Sequence, residues 1–181
     1  MLVDTGLPTD LHKVKEASVL ANELGFDGIF AAEVTADPFV TSAVASQHVQ
    51  NMDLGTKIAV AFARTPMTTA YAAYNLGELS GGRFHLGLGT QVRAHVTRRF
   101  SMPWSQPSAR MREYVVAMKE IWSSWRTGEP LAFSGEFYEH SLMTEYFVPP
   151  TTTAAAPPVW LAAVGPRLAE VAAAVADGIV L

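Results

Sequence analysis

Cysteine is absent from this 181-residue chain. That excludes disulfides, zinc–thiolate sites and thiol nucleophiles, and it agrees with a cytoplasmic setting. A basic excess is missing as well. Thirteen Lys and Arg stand against 17 Asp and Glu, for a formal charge of −4, so the electrostatic footprint of a nucleic-acid binder is not there. Apolar runs such as Val171 to Ala176 fall far short of the ~18 residues of a membrane-spanning helix. At the N-terminus, Asp4 and the turn at Gly6–Leu7–Pro8 take the place of the basic-then-apolar pattern of a signal peptide. Charge of either sign is scarce at 17%, while 49% of residues are hydrophobic. This excludes disorder and supplies the core of one ordinary domain. The expectation is a soluble cytoplasmic protein that acts on a small molecule rather than on nucleic acid or membrane.

Several motifs of known chemistry are also missing. Gly87-Leu-Gly89 has Val92 where a dinucleotide fingerprint needs its third glycine. No Gly-x-Ser-x-Gly elbow occurs, which disfavours an α/β-hydrolase. The five histidines form no HExxH and no i, i+4 pair, so a metal site is not expected.

What is present is an alternation of strand and helix. MLVDTGL reads as a short strand, followed by a helix that Thr9 or Asp10 caps and Gly25 ends, with Leu11, Val14, Ala17, Ala21 and Leu24 as its apolar stripe. Asp27 to Ala32 is a continuous apolar run that suits a strand buried on both faces, and Asp37–Pro38 opens a second helix. Strand-like Thr56 to Phe62, helical Met67 to Leu79, strand-like Arg83 to Gly89 and a long helix from Ser108 to Trp125 follow. After these come a strand at Pro158 to Val164, a helix at Arg167 to Ala176 and a last strand at Asp177 to Leu181. Six strands alternating with five helices indicate an α/β fold with a parallel sheet. Leu24-Gly-Phe-Asp-Gly-Ile-Phe30 and Val175-Ala-Asp-Gly-Ile-Val-Leu181 both enter a strand through Asp-Gly, a recurring βα geometry.

The rhythm breaks over 127–158, which is rich in proline and aromatics and contains TTTAAAPP. We read it as an excursion between the fourth and fifth strands, with a small hairpin near Ser134–Gly135, inside a single domain covering 1–181. A complete (β/α)8 TIM-type barrel takes about 250 residues. The pattern here reaches only a sixth strand, as in an incomplete barrel.

In such barrels the chemistry sits at the C-terminal strand ends, here Ala32–Asp37, Phe62–Arg64, Gly89–Phe100 and Ala163–Pro166. On the fourth strand, alternation puts His85, Gly87 and Gly89 on one face and Phe84, Leu86 and Leu88 on the other. A face of glycines admits a flat ligand or another backbone; close strand–helix packing is the plainer alternative. His85 reads as a core histidine with its hydrogen bonds satisfied. Asp37 reads as a helix cap, and Trp104 beside Pro103 as mostly packing, with a place at a substrate pocket open to it.

Leu79-Ser-Gly-Gly82 with Arg83-Phe-His-Leu-Gly-Leu-Gly-Thr90 resembles the fourth-strand motif of the bacterial luciferase-like superfamily of flavin- and deazaflavin-dependent oxidoreductases. Leu24 to Phe30, Gly55-Thr56 with Arg64-Thr-Pro66, and Trp160-Leu-Ala-Ala-Val-Gly-Pro166 match in the same order. The resemblance covers nearly the whole chain. It implies a (β/α)8 barrel, a homodimer, and a cofactor ring lying over the strand ends. It further implies a non-prolyl cis peptide in the third strand at Lys57–Ile58. Thr90, followed by Gln91, stands where the coenzyme F420 branch tends to have threonine and FMN enzymes an arginine, so F420 is the expected cofactor and FMN the alternative. Val164-Gly165-Pro166 falls where the family's Gly-Gly-Pro loop meets a phosphate, with valine replacing the first glycine.

A second departure is at Val34, where many relatives carry a catalytic histidine. Glu33 is then the candidate catalytic position, placed to orient cofactor or substrate; a carboxylate paired with a nearby Arg or Lys is the alternative. Gln91 to Arg99 gathers Arg93, His95, Arg98 and Arg99. Arg98 and Arg99 are candidate partners for the phosphodiester and oligoglutamate tail of F420, with surface pairing to Glu113 or Glu120 as the alternative. Three functions follow: F420-dependent hydride transfer involving a small organic substrate, FMN-dependent monooxygenation, or a non-catalytic binding or dimerisation scaffold.

Overall fold

A computed structural model describes residues 1–150 and 155–180. Thr151 to Ala154, part of the Thr/Ala/Pro-rich stretch, and Leu181 of the expected last strand lie outside the described residues. The main elements are β1 (Asp4–Gly6), α1 (Leu11–Glu23), β2 (Gly28–Ala31), α2 (Pro38–Ser46), β3 (Asp53–Thr56), β4 (Ala59–Val60), α3 (Pro66–Leu79), β5 (Phe84–Gly89) and α4 (Pro107–Thr127). They continue with β6 (Phe133–Ser134), β7 (Glu139–His140), β8 (Val159–Ala162), α5 (Pro166–Val175) and β9 (Gly178–Val180). The main sheet runs β1-β2-β3-β5-β8-β9 with β4 also beside β5, and all its pairings are parallel. This is the incomplete (β/α) barrel that the alternation predicts.

The third strand differs from its expected span of Thr56 to Phe62. It starts earlier, at Asp53, breaks after Thr56, and resumes as β4, with a 3-10 turn at Ala61–Ala63. The break holds a cis peptide between Lys57 and Ile58. β3 pairs with the first half of β5 and β4 with its second half, so one strand is delivered in two pieces.

The helix termini follow local chemistry. Asp10 accepts from the His12 amide and Asp37 from those of Phe39 and Val40, while Thr65 and Thr68 form a reciprocal capping box. Phe84, Leu86 and Leu88 of β5 turn toward the helices and are buried, as are Ile29, Leu54, Val159 and Leu161 of neighbouring strands. Met111, Val115, Met118, Ile121 and Trp122 of α4 are buried as their spacing predicts. The stripe of α1 is narrower than expected. Val14, Ser18 and Ala21 are buried, but Leu11 and Leu24 are exposed, because this helix flanks an edge of the sheet and has α2 as its main helical neighbour.

Between α4 and β8 the chain forms the antiparallel hairpin β6–β7. Both Glu113 carboxylate oxygens hold its turn, accepting from the amides of Glu136, Phe137 and Tyr138 at 2.7–2.9 Å.

Candidate functional site

At the C-terminal end of β2, Glu33 meets the third strand. Its Oε2 accepts from the Val60 amide and from Arg64 Nη1, each at 2.7 Å, and the Glu33 amide donates to the Ile58 carbonyl at 3.2 Å. Arg64 Nη2 reaches Asp37 Oδ2 at 2.7 Å, and Nη1 also donates to the Val60 carbonyl at 3.2 Å. Arg64 thus ties together the ends of β2 and β4 and the start of α2. The Glu33 side chain is only 6% exposed and that of Arg64 18%. Removing one partner of so buried a pair costs about 3–5 kcal/mol. Burial lowers the Arg64 pKa, but bonding and attraction to Glu33 and Asp37 more than offset this, and the net shift is upward. Asp37 is both the helix cap the sequence indicates and an ion-pair partner. Burial raises its pKa, yet the bonds from Arg64, Phe39 and Val40 together leave it below the ordinary carboxylate value.

On the inner face of the sheet, Lys57 Nζ pairs with Asp4 at 2.6 Å and lies 4.0 Å over the Phe30 ring. Phe30 stacks on Trp160 with centroids 6.1 Å apart, and His85 packs edge-on to Trp160 at 4.8 Å. His85 departs from the fully satisfied histidine expected. Nε2 lies 3.3 Å from Asp53, but Nδ1 is buried with no hydrogen-bond partner among the described residues. The β5 glycines receive neighbouring chain rather than helix: a Cβ on Gly87 would lie 2.0 Å from the Thr56 carbonyl oxygen, and one on Gly89 would lie 2.9 Å from the Ile58 side chain.

Thr90 follows β5 and donates to the Gln91 carbonyl; Gln91 takes a left-handed φ of 59° and accepts from the Val92 amide. The chain then enters a short π-helical segment, His95–Arg99, pinned by buried Val96. Arg93, Arg98 and Arg99 are exposed, and among the described residues none of them pairs with a carboxylate. Glu113, one of the expected partners, instead holds the hairpin turn. Arg99 instead donates to the Val34 carbonyl at 2.6 Å, joining the segments after β5 and β2. Val34 itself is exposed. At the end of β8, Val164 is fully exposed and Gly165 begins α5 with no side-chain cap. Trp104, partly buried, packs edge-on to Phe62 at 5.9 Å, against the core cluster.

A sequence profile described as luciferase-like monooxygenase matches residues 2–181. The chain belongs to this family. An uncharacterized protein of Mycobacterium tuberculosis is 46% identical over 176 residues, covering 97% of this chain and 52% of that protein. An F420-dependent glucose-6-phosphate dehydrogenase of Intrasporangium calvum is 31% identical over 185 residues, covering 93% of this chain and 53% of the relative. The chain thus spans about half the length of the curated relatives it matches. Among solved structures, monooxygenase RslO1 from Streptomyces bottropensis superposes with a TM-score of 0.84 at 22% identity, covering all of this chain and 59% of that one. The oxygenating constituent of 3,6-diketocamphane monooxygenase from Pseudomonas putida, solved with FMN, gives 0.71 at 16% identity, covering 88% of this chain and 52% of that one. At these identities the solved structures share the fold.

The luciferase-like fold brings Glu33 against the segment after Lys57–Ile58, and Arg99 against the segment that follows Glu33. Thr90, Gln91, Val164 and Gly165 lie just beyond their own strand ends. Two arginines escape the sequence reading. Arg64 appears there only within the strand-end segment Phe62–Arg64 and the motif Arg64-Thr-Pro66, and nothing local marks it as the partner of two carboxylates about thirty residues upstream. Buried Arg110 is the other: it donates to Tyr138 Oη at 2.8 Å and the Pro103 carbonyl at 2.7 Å, and lies 4.5 Å over Phe62. Its α4 position reads as a helix surface.

Proposed function

We propose that this luciferase-like chain carries the cofactor-binding part of a coenzyme F420-dependent oxidoreductase that moves a hydride to or from a small organic substrate, with a homodimer as its working assembly. The observation that carries the reading is the segment after β5. Thr90, short and neutral, precedes exposed arginines that no carboxylate among the described residues neutralises. A phosphodiester with an acidic tail is a partner of matching chemistry. The 31% identical F420-dependent dehydrogenase supports the same choice.

The residues present suit such a cofactor. Gly89 lets the Ile58 side chain sit against the end of β5, where a Cβ would collide with it, and the first turn of α5 has no side chain competing for its amides. In this reading Lys57 and Ile58 support the ring, Thr90 and Gln91 border it, and Val164 and Gly165 present backbone to a phosphate. Arg98 and Arg99 face the tail. When bound, the deazaflavin supplies the carbon that gains or loses the hydride. Glu33 orients the site through its bonds to Arg64 and Val60; its buried ion pair suits placement better than proton transfer. Val34 neither gives nor takes a proton.

Titration of the protein with F420 and with FMN, followed by fluorescence, tests the reading. Tighter binding of F420 is expected. FMN binding tenfold better overturns the deazaflavin assignment in favour of a flavin enzyme, and binding of neither favours a non-catalytic scaffold.

A further inference from the structure

We propose that Arg64 and Glu33 are positioning residues that set cofactor affinity by clamping the Ile58–Val60 backbone. The proposal rests on the cofactor reading above for its ligand, and on hydrogen bonds for its mechanics. Three bonds from two side chains or their backbones converge on this short stretch. The Glu33 amide donates to the Ile58 carbonyl, Glu33 Oε2 accepts from the Val60 amide, and Arg64 Nη1 donates to the Val60 carbonyl. Arg64 Nη1 also donates to the same Glu33 oxygen that holds the Val60 amide, and Nη2 is anchored on Asp37 at the head of α2. The clamp is therefore braced against a helix rather than against another loop. Hydrogen bonds to ionised groups are stronger than neutral ones, and burial of both side chains shields them from solvent screening.

The Ile58 side chain is also what a Cβ on Gly89 would meet. Loosening Ile58–Val60 therefore moves the wall of the site next to the end of β5. Neither Arg64 nor Glu33 needs to touch the cofactor for this. Glu33 Oε2 and both Arg64 Nη atoms are held by protein partners, so their effect passes through backbone.

Amide hydrogen exchange and ligand titration on Glu33→Gln, Arg64→Lys, Arg64→Ala and the Glu33→Gln/Arg64→Lys pair test the clamp. In the ligand-free protein, exchange at the Val60 amide is expected to rise at least tenfold in Arg64→Ala and Glu33→Gln, with the β5 amides unchanged. F420 and its tail-free deazaflavin should both lose about tenfold in affinity, because the lesion lies beside the ring and not the tail. Arg64→Lys should keep part of the affinity. The double variant should be no weaker than the worse single one, as residues acting through one backbone segment are non-additive. Glu33→Gln stays close in shape, so it reports even where Arg64→Ala fails to fold. Unchanged Val60 exchange, or unchanged affinity in folded variants of a chain that binds F420, overturns the clamp alone. Absence of binding by the unmodified chain overturns the cofactor reading, and the exchange result then still decides whether the backbone is clamped.

Discussion

Thr90 follows β5 with its hydroxyl donating to the neighbouring Gln91 carbonyl. Arginine there would project a long cation into the same space, suited to a compact phosphate. Thr90→Arg is expected to narrow or reverse the preference for F420 over FMN, measured as the ratio of the two dissociation constants; an unchanged ratio counts against Thr90 as the discriminating residue. Gly87 makes a purely structural prediction. Gly87→Ala would press its Cβ to 2.0 Å from the Thr56 carbonyl oxygen, and because both partners are sheet backbone the strain cannot be relieved by a rotamer change. A loss of about 3 kcal/mol or more in chemical denaturation is expected. Asp37 makes a pH prediction. Its pKa is lower in the folded state than its ordinary value, so its contribution is complete above that value and disappears as pH falls through the lower, folded one. Asp37→Asn keeps the helix cap but not the charge. The variant should melt below the wild-type protein at neutral pH, and the gap should close below about pH 4.

Among the elements, the π-helical segment His95–Arg99 holds two arginines with different tasks. Arg99 fastens the segment to the Val34 carbonyl, whereas Arg98 has no hydrogen-bond or ion-pair partner among the described residues. Arg98→Ala should weaken binding of tailed F420 several-fold and leave the tail-free deazaflavin nearly unaffected. Arg99→Ala should weaken both, because it also frees the segment after β2. Equal losses for both ligands in Arg98→Ala would mean that this arginine serves the fold. The β6–β7 hairpin depends likewise on one side chain: Glu113 supplies acceptors to three successive amides, so its replacement should unseat the turn before it disturbs α4.

For the molecule as a whole, the open sheet has consequences of its own. β1 and β9 are its edges, and no described strand covers their outer sides. Ile179 of β9 is partly exposed, and unpaired apolar edges invite pairing between chains. In sedimentation experiments these 181 residues should self-associate with rising concentration. A monodisperse monomer over a wide concentration range would show that the edges are protected. No helix among the described residues is long and apolar enough to cross a membrane.

The order of strands and helices, the cap at Asp37, the choice of Thr9 or Asp10 for the first cap, and the buried stripe of α4 were legible from the sequence because each depends on residues a few positions apart. Hydropathy did not show the break in the third strand, because a run of apolar residues from Ile58 to Phe62 has one pattern whether or not its backbone turns; only the family resemblance placed a cis peptide at Lys57–Ile58, where the structure has it. At the candidate site, the strand ends and the glycines of β5 could be placed by pattern, but what fills the space beside Gly87 and Gly89 is set by a neighbouring strand. Likewise Glu33, Asp37 and Arg64 are separate polar residues in the sequence, and their joint network forms only when parallel pairing brings the ends of β2 and β4 together. Local chemistry determined the elements; long-range strand registry decided which charges meet, because an ion pair depends on distance in space and the sequence records only distance along the chain.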